Sequence, residues 1–218
     1  MITKKERIRD YGEVFTKERE VNVMLDLVQN ETERIESRFL EPACGTGNFL
    51  APILERKLSI VKKKYSSSQV EFERMGLLAA SSIYGVELLK DNIEDCIERL
   101  YNIFDELYTM LYKDKCKDDF RKSIRLVLVR NILHGNALTL RTYDNKGYII
   151  FSEWSLVNGS LIKRRDFEYR DLADFDPRTP KLFSLREVSD TGETVFSPMP
   201  VKEFPLMHYL KLDYEDAK

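Results

Sequence analysis

Phe39-Leu40-Glu41-Pro42-Ala43-Cys44-Gly45-Thr46-Gly47-Asn48-Phe49-Leu50 reads as a strand that runs straight into a two-glycine turn and then into a helix. Glycine adopts positive φ without steric penalty and lets the backbone approach a ligand closely, so Gly45 and Gly47 fit a ligand-holding turn. In an open α/β sheet ligands sit at the carboxyl ends of the strands, which is where this turn lies. The stretch is not a phosphate loop, because Gly-Lys-Ser/Thr is absent. Nor is it a full GxGxxG, because Leu50 stands where the third glycine would be. Asn48 is expected to cap a helix running to about Tyr65, with Pro52 near its first turn, where a missing N–H is tolerated.

Outward from this segment the elements alternate. Ser66-Ser67-Ser68 breaks the helix, and a second helix follows over Glu71 to Ser81. Ile83-Tyr84-Gly85-Val86-Glu87 is a second strand, ending on an acid. Lys90 to about Tyr112 is long and amphipathic, with Ile93, Ile97, Leu100, Ile103, Phe104, Leu107 and Leu111 in one apolar stripe that reads as core. Asp118 to Arg130 is helical, and Ile132-Leu133-His134-Gly135-Asn136 is a third strand. Strand, helix, strand, helix, strand is the signature of an α/β fold with a parallel sheet covered by helices. Before the glycine turn, Val21 to Val28 is expected to be helical, capped by Thr16. After Leu140 the pattern becomes a hairpin turning at Asp144-Asn145-Lys146-Gly147, then short strands and turns, with no helix expected beyond residue 172. The expected organisation is a ligand-binding α/β domain over residues 1–155 and an irregular, β- and loop-rich extension over 156–218.

The acid closing the second strand has a chemistry of its own. A carboxylate there can accept hydrogen bonds from both hydroxyls of a ribose, the logic of dinucleotide domains; alone it would read as an exposed acid past a strand end, and the glycine turn upstream favours the ribose role for Glu87. Asn136, after the third strand, carries an amide able to address an adenine, or equally forms a turn.

Composition narrows the class. With 43% hydrophobic and 33% charged residues, the 218-residue chain reads as globular rather than disordered. No apolar run is long enough to span a bilayer and the N-terminus has no apolar signal core, so no membrane role and a cytoplasmic location are expected. Three scattered cysteines and two histidines give no zinc-ligand cluster. A net charge of −2 leaves no global footprint for nucleic acid, although Lys163-Arg164-Arg165 is a local basic cluster.

Taken together, these motifs resemble the cofactor-binding half of the adenine-N6 DNA methyltransferases of restriction–modification systems, over roughly residues 8 to 140. Tyr11-Gly12-Glu13-Val14-Phe15-Thr16 resembles the segment of that family that closes over the methionine end of its cofactor. Glu41 to Phe49 resembles its first cofactor motif, Tyr84-Gly85-Val86-Glu87 its acidic ribose motif and Gly135-Asn136-Ala137-Leu138 its adenine motif, with Asn136 where Asp is usual. The resemblance implies a Rossmann-like S-adenosylmethionine-dependent methyltransferase fold, reduced in its C-terminal half. It implies a cofactor site of Tyr11, Val14, Phe15, Thr16, Glu41, Pro42, Ala43, Gly45, Gly47, Asn48, Phe49, Glu87, Leu88, Asn136 and Ala137, with Thr16 at the cofactor, Glu41 and Gly45 at its methionine part and Glu87 at its ribose.

The family's catalytic motif, a polar residue followed by Pro-Pro and an aromatic, has no counterpart, because the chain contains no Pro-Pro pair. In its place stands Tyr148-Ile149-Ile150-Phe151-Ser152-Glu153-Trp154. Ser152, Glu153 and Trp154 are the catalytic candidates, with Trp154 as a stacking platform for a flipped base; the alternative is that Trp154 packs onto the domain and the other two are surface residues. Three functions fit: a DNA adenine-N6 methyltransferase, reaching DNA alone or through a partner subunit; a catalytically inactive cofactor-binding or regulatory subunit in a homo- or hetero-oligomer; and a methyltransferase of another substrate.

Overall fold

In the computed structural model, Arg7 and residues 16–173, 184–188 and 194–212 are described. Helix α1 (Glu18–Asp26) and the short α2 (Gln29–Thr32) lead into β1 (Phe39–Glu41). Helices α3 (Leu50–Tyr65) and α4 (Gln69–Ser81) connect β1 to β2 (Ile83–Glu87). Helices α5 (Lys90–Tyr112) and α6 (Asp118–Asn131), joined by a 3-10 turn, connect β2 to β3 (Ile132–Asn136). The three strands pair in parallel in the order β1-β2-β3, and β4 (Arg141–Thr142) adds antiparallel to β3. The molecule is thus an α/β protein with a mixed sheet, as the alternation of elements predicts.

The two faces of the sheet are covered differently. Along β2, Ile83 and Gly85 face helices α3 to α6 and the main core, whereas Tyr84 and Val86 face Ile149, Phe151 and Tyr169. That second face is roofed by a long hairpin, β5 (Ile150–Val157) with β6 (Leu161–Glu168), and by α7 (Tyr169–Ala173). Short strands β9 (Lys202–Glu203) and β10 (Met207–His208) add to β6, while β7 (Ser184–Val188) and β8 (Thr194–Pro198) pair with each other. A domain boundary at residue 155 would therefore cut β5. Tyr209 and Leu212 lie in the same core as the helices, and the Tyr209 hydroxyl donates to buried Glu73 at 2.6 Å. Tyr108 and Lys117 donate to the same carboxylate at 2.5 and 2.7 Å, stapling the chain's last described turn to α4, α5 and α6.

Local chemistry explains the helix ends and corrects two of them. Ser68 caps α4 by accepting the Glu71 N–H at 3.4 Å. Asn48 does not cap α3: Phe49 at that position is already helical, and the Asn48 Oδ1 accepts from Arg99 at 2.9 Å. Nor does Thr16 cap α1, whose N-cap is Lys17, with the Glu20 carboxylate reaching back to the Lys17 N–H. The core stripe of α5 is centred on Ile93, Cys96, Leu100, Phe104 and Tyr108, with Ile97, Ile103, Leu107 and Leu111 of the expected stripe half-buried at its margin, because Cys96 and Tyr108 take central places. Helix α7 ends at Ala173, one residue past the point beyond which no helix was expected.

One charged residue sits inside the apolar stripe of α3. The Lys57 ammonium is buried and donates to the carbonyls of Arg34, Ile35 and Ser37 at 2.7, 3.0 and 2.6 Å. It thereby clamps the polar link that delivers the chain to β1, and burial pushes its pKa down to about 8.

Candidate ligand site at the glycine turn

The carboxyl ends of β1 and β2 bring the glycine turn and Glu87 together. Gly45 has φ +51° and Gly47 φ +84°, both in the left-handed region. Their surroundings differ. A Cβ built on Gly45 would meet nothing within 4 Å, whereas one on Gly47 would stand 2.9 Å from the Cys96 sulfur. Gly45 is therefore the glycine that leaves room for a ligand, and Gly47 is required by the close packing of the turn onto α5. Cys44, also buried, lies against Gly85 on the helix side of β2, so both cysteines near the turn serve as small apolar wedges. Burial and each other's proximity push the Cys44 thiol far above its ordinary pKa, which keeps it uncharged.

Glu87 ties the two strand ends to each other. Its Oε2 accepts the Gly45 N–H at 2.9 Å, and its Oε1 accepts the N–H groups of Leu88 and Leu89, each at 2.9 Å. Of the roughly four lone-pair positions on a carboxylate, three are taken, leaving one on the oxygen nearest the turn. The Glu41 carboxylate bends back to the Ala43 N–H at 3.3 Å, within its own turn, and Pro42 and Ala43 are exposed.

The third strand end adds two features. The Asn136 Oδ1 accepts from Leu138 and Thr139 N–H at 2.9 and 3.3 Å, so the turn-forming role is realised and the Nδ2 amide is the group left to face a ligand. His134, the register partner of Glu87, donates its Nε2–H to the Leu88 carbonyl at 2.9 Å and stacks on Tyr143 with ring centroids 4.1 Å apart. Tyr143 is 66% exposed, and exposed Leu88 lies next to it in this chain of contacts. This ring pair is not legible in the sequence, because Tyr143 follows β4 and comes beside His134 only through the β3–β4 pairing.

Of the N-terminal motif, Tyr11, Val14 and Phe15 lie outside the described residues, and Thr16 is half-buried just before α1. Arg7 is ion-paired with Asp91 and donates to the Asn92 side chain at 2.8 Å, at the first turn of the helix that follows Glu87. Arg7 is thus anchored at the start of the helix that follows the Glu87 strand end. The Arg7 guanidinium holds the Asp91 carboxyl below its usual range.

Ser152, Glu153 and Trp154 are not brought to this site. The Trp154 indole donates at 3.0 Å to Asn131, whose amide in turn donates to the carbonyls of Ser81 and Ile83 at the amino ends of the strands. Glu153 is paired with Arg38, just before β1, and with Arg165. Ser152 is 2% exposed, and its hydroxyl is held between Asp166 at 2.7 Å and Arg164 at 3.1 Å. Trp154 and Glu153 are spent on holding the β5–β6 hairpin against the opposite end of the sheet, and Ser152 on joining β5 to β6 within it. The basic cluster is spent likewise: Arg164 is buried on Asp166 between the rings of Trp154 and Phe204, Arg165 pairs with Glu153, and Lys163 with Glu203.

Among the described residues no helix is long and apolar enough to cross a membrane, and no group of three or more His, Cys, Asp or Glu is placed to hold a metal ion. Comparison of the chain with protein-family models, with curated proteins and with solved structures finds no match in any of the three.

Proposed function

We propose that the chain is the S-adenosylmethionine-binding component of an adenine-N6 DNA methyltransferase of a restriction–modification or phage-defence system. In this reading β1, β2 and β3 are half of a Rossmann-like methyltransferase sheet, and a partner chain supplies the catalytic residues and the DNA contacts. The observation that carries it is the pairing of Gly45 with Glu87: a positive-φ backbone with open space above it, hydrogen-bonded to a carboxylate at the end of the adjacent parallel strand.

The residues present fit the cofactor. The space beside Gly45 admits the methionine part close to the backbone, as the resemblance implies. Glu87 would accept the ribose hydroxyls; with one lone-pair position open, a diol donating twice displaces one backbone N–H from the carboxylate. The Asn136 amide would face a purine ring nitrogen, and Leu88 and Tyr143 would offer it apolar and aromatic surface. When bound, the cofactor supplies an electrophilic methyl group; what this chain contributes is its fixed position. The distance of Ser152, Glu153 and Trp154 from this end of the sheet favours the binding-component reading over a chain that acts alone.

The test is incubation with S-adenosylmethionine tritiated on its methyl group, with and without adenine-containing duplex DNA. Retention of label on the protein, with none transferred to DNA, is the expected result. Transfer to adenine by the isolated chain refutes the division of labour, and absence of retained label refutes the cofactor site.

A further inference from the structure

β1 is the edge of the parallel sheet, pairing only with β2 among the described residues. The Phe39 N–H donates to the Ser82 carbonyl at 2.9 Å. Alternation along a parallel strand therefore turns the N–H and C=O of Leu40 toward the opposite, unpaired edge. A cavity of about 660 Å³ lies there. Its lining includes Phe39 and Leu40, which belong to different faces of the sheet: Phe39 sits under the Lys57 ammonium on the helix side, and Leu40 is the register partner of Tyr84 on the other. A hollow touching both reaches the strand's edge from the hairpin face, where Tyr84 of β2 also lines it.

The far wall of this slot comes from β5, β6 and α7, through Phe151, Phe167, Tyr169 and Leu172. At its mouth two guanidiniums, Arg38 and Arg165, share the single carboxylate of Glu153, leaving one net positive charge. Leu40 is 41% exposed and lines the slot together with Tyr84, Phe151, Phe167 and Leu172. Unpaired strand edges are templates for another strand, and parallel sheets are ordinarily paired and covered beyond their edge strands.

We propose that this slot is a strand-addition site, which takes an extended segment of a partner polypeptide onto the β1 edge. The segment is apolar at alternate positions and carries a carboxylate for Arg38 and Arg165. Backbone pairing with Leu40 supplies the affinity, and the aromatic wall and the charged mouth select the side chains. The surface itself stands on the sheet edge alone. Its consequence for methyl transfer rests on the cofactor reading: a strand added beside β1 brings the partner's following residues to the end of the sheet where the glycine turn lies, or its preceding ones if it adds antiparallel.

The experiment is selection of a displayed library of randomised twelve-residue peptides (about the length needed to cover the slot with flanks) against the whole chain. Amide hydrogen exchange is then read on the complexes. The expected winners alternate apolar residues and carry Asp or Glu. They slow exchange of the Leu40 amide at least about tenfold and lose about tenfold or more in affinity to the Arg38→Glu, Arg165→Glu double variant. A Pro at the peptide residue whose N–H pairs with the Leu40 carbonyl abolishes their binding. Failure to enrich such peptides, or enrichment of peptides that leave the Leu40 amide unprotected, overturns the proposal. Concentration-dependent dimers that protect Leu40 without peptide also overturn it, in favour of a second copy of the chain. None of these readouts uses S-adenosylmethionine, so failure here and failure of the cofactor site are separately visible.

Discussion

Replacing Gly47 with Ala should cost stability for two separable reasons. The residue has φ +84°, and a left-handed backbone costs an L-residue about 1–2 kcal/mol. Its new Cβ would also stand 2.9 Å from the Cys96 sulfur, a fully buried atom on α5. Overpacking of a filled interior costs about 1–3 kcal/mol. The sum is about 2–5 kcal/mol, a large share of the stability of a domain this size. Cys96→Ala removes the obstructing sulfur but leaves the backbone strain. In the double variant the overlap cost, about 1–3 kcal/mol, should be returned and the strain cost should remain. Equilibrium urea unfolding of the four proteins, with a common slope, measures the coupling. Gly45→Ala is the internal control, with φ +51° and no neighbour within 4 Å. It should lose only the backbone part, about 1–2 kcal/mol, and show no coupling to Cys96. Additive effects of Gly47→Ala and Cys96→Ala would refute the division of labour between the two glycines.

Lys57→Met leaves three carbonyls without their buried donor and should destabilise the fold by about 3–5 kcal/mol in thermal or urea unfolding. Because burial lowers the Lys57 pKa to about 8 from 10.5, the native state releases this proton before the unfolded state does. The wild type should therefore gain stability relative to Lys57→Met as pH rises from about 8 toward 10, at up to about 1.4 kcal/mol per pH unit; a constant difference would mean the ammonium keeps its charge throughout. Trp154→Phe removes the indole donor to Asn131 and should cost about 1–3 kcal/mol of stability. It should leave S-adenosylmethionine affinity unchanged, which a combined melting and titration series checks.

The parallel half of the molecule is written in local signals. Two glycines between a strand and a helix, an acid closing β2, and serines breaking α3 from α4 each state their role within a few residues. Strand and helix positions from Phe39 to Asn136 accordingly match the sequence reading to within a residue or two. What escaped depends on partners distant in sequence. Asn48 looks like a cap until Arg99, fifty-one residues on, claims its oxygen. Ser152, Glu153 and Trp154 look like a displaced catalytic strand, because a strand followed by a polar residue and an aromatic says nothing about which end of the sheet it meets. Arg38 and Asn131 decide that, and their pairing is tertiary. Cys96 and Tyr108 hide in the core of α5 because their side chains are not aliphatic, though their spacing from Leu100 and Phe104 is the helical repeat that would have found them. Lys57 carries a comparable signal: a lysine in the middle of an apolar stripe, with a loop of carbonyls to receive it.

The central claim is that the Gly45–Glu87 end of the sheet holds S-adenosylmethionine. Calorimetric titration of the purified chain with S-adenosylmethionine and S-adenosylhomocysteine, in wild type and Glu87→Ala, tests it most directly. Saturable binding of both ligands is predicted, weakened in the variant by about 1.5–3 kcal/mol, the worth of a hydrogen bond to a charged group. Binding that is equally tight in a folded Glu87→Ala variant, or no binding of either ligand to the wild type, would contradict it.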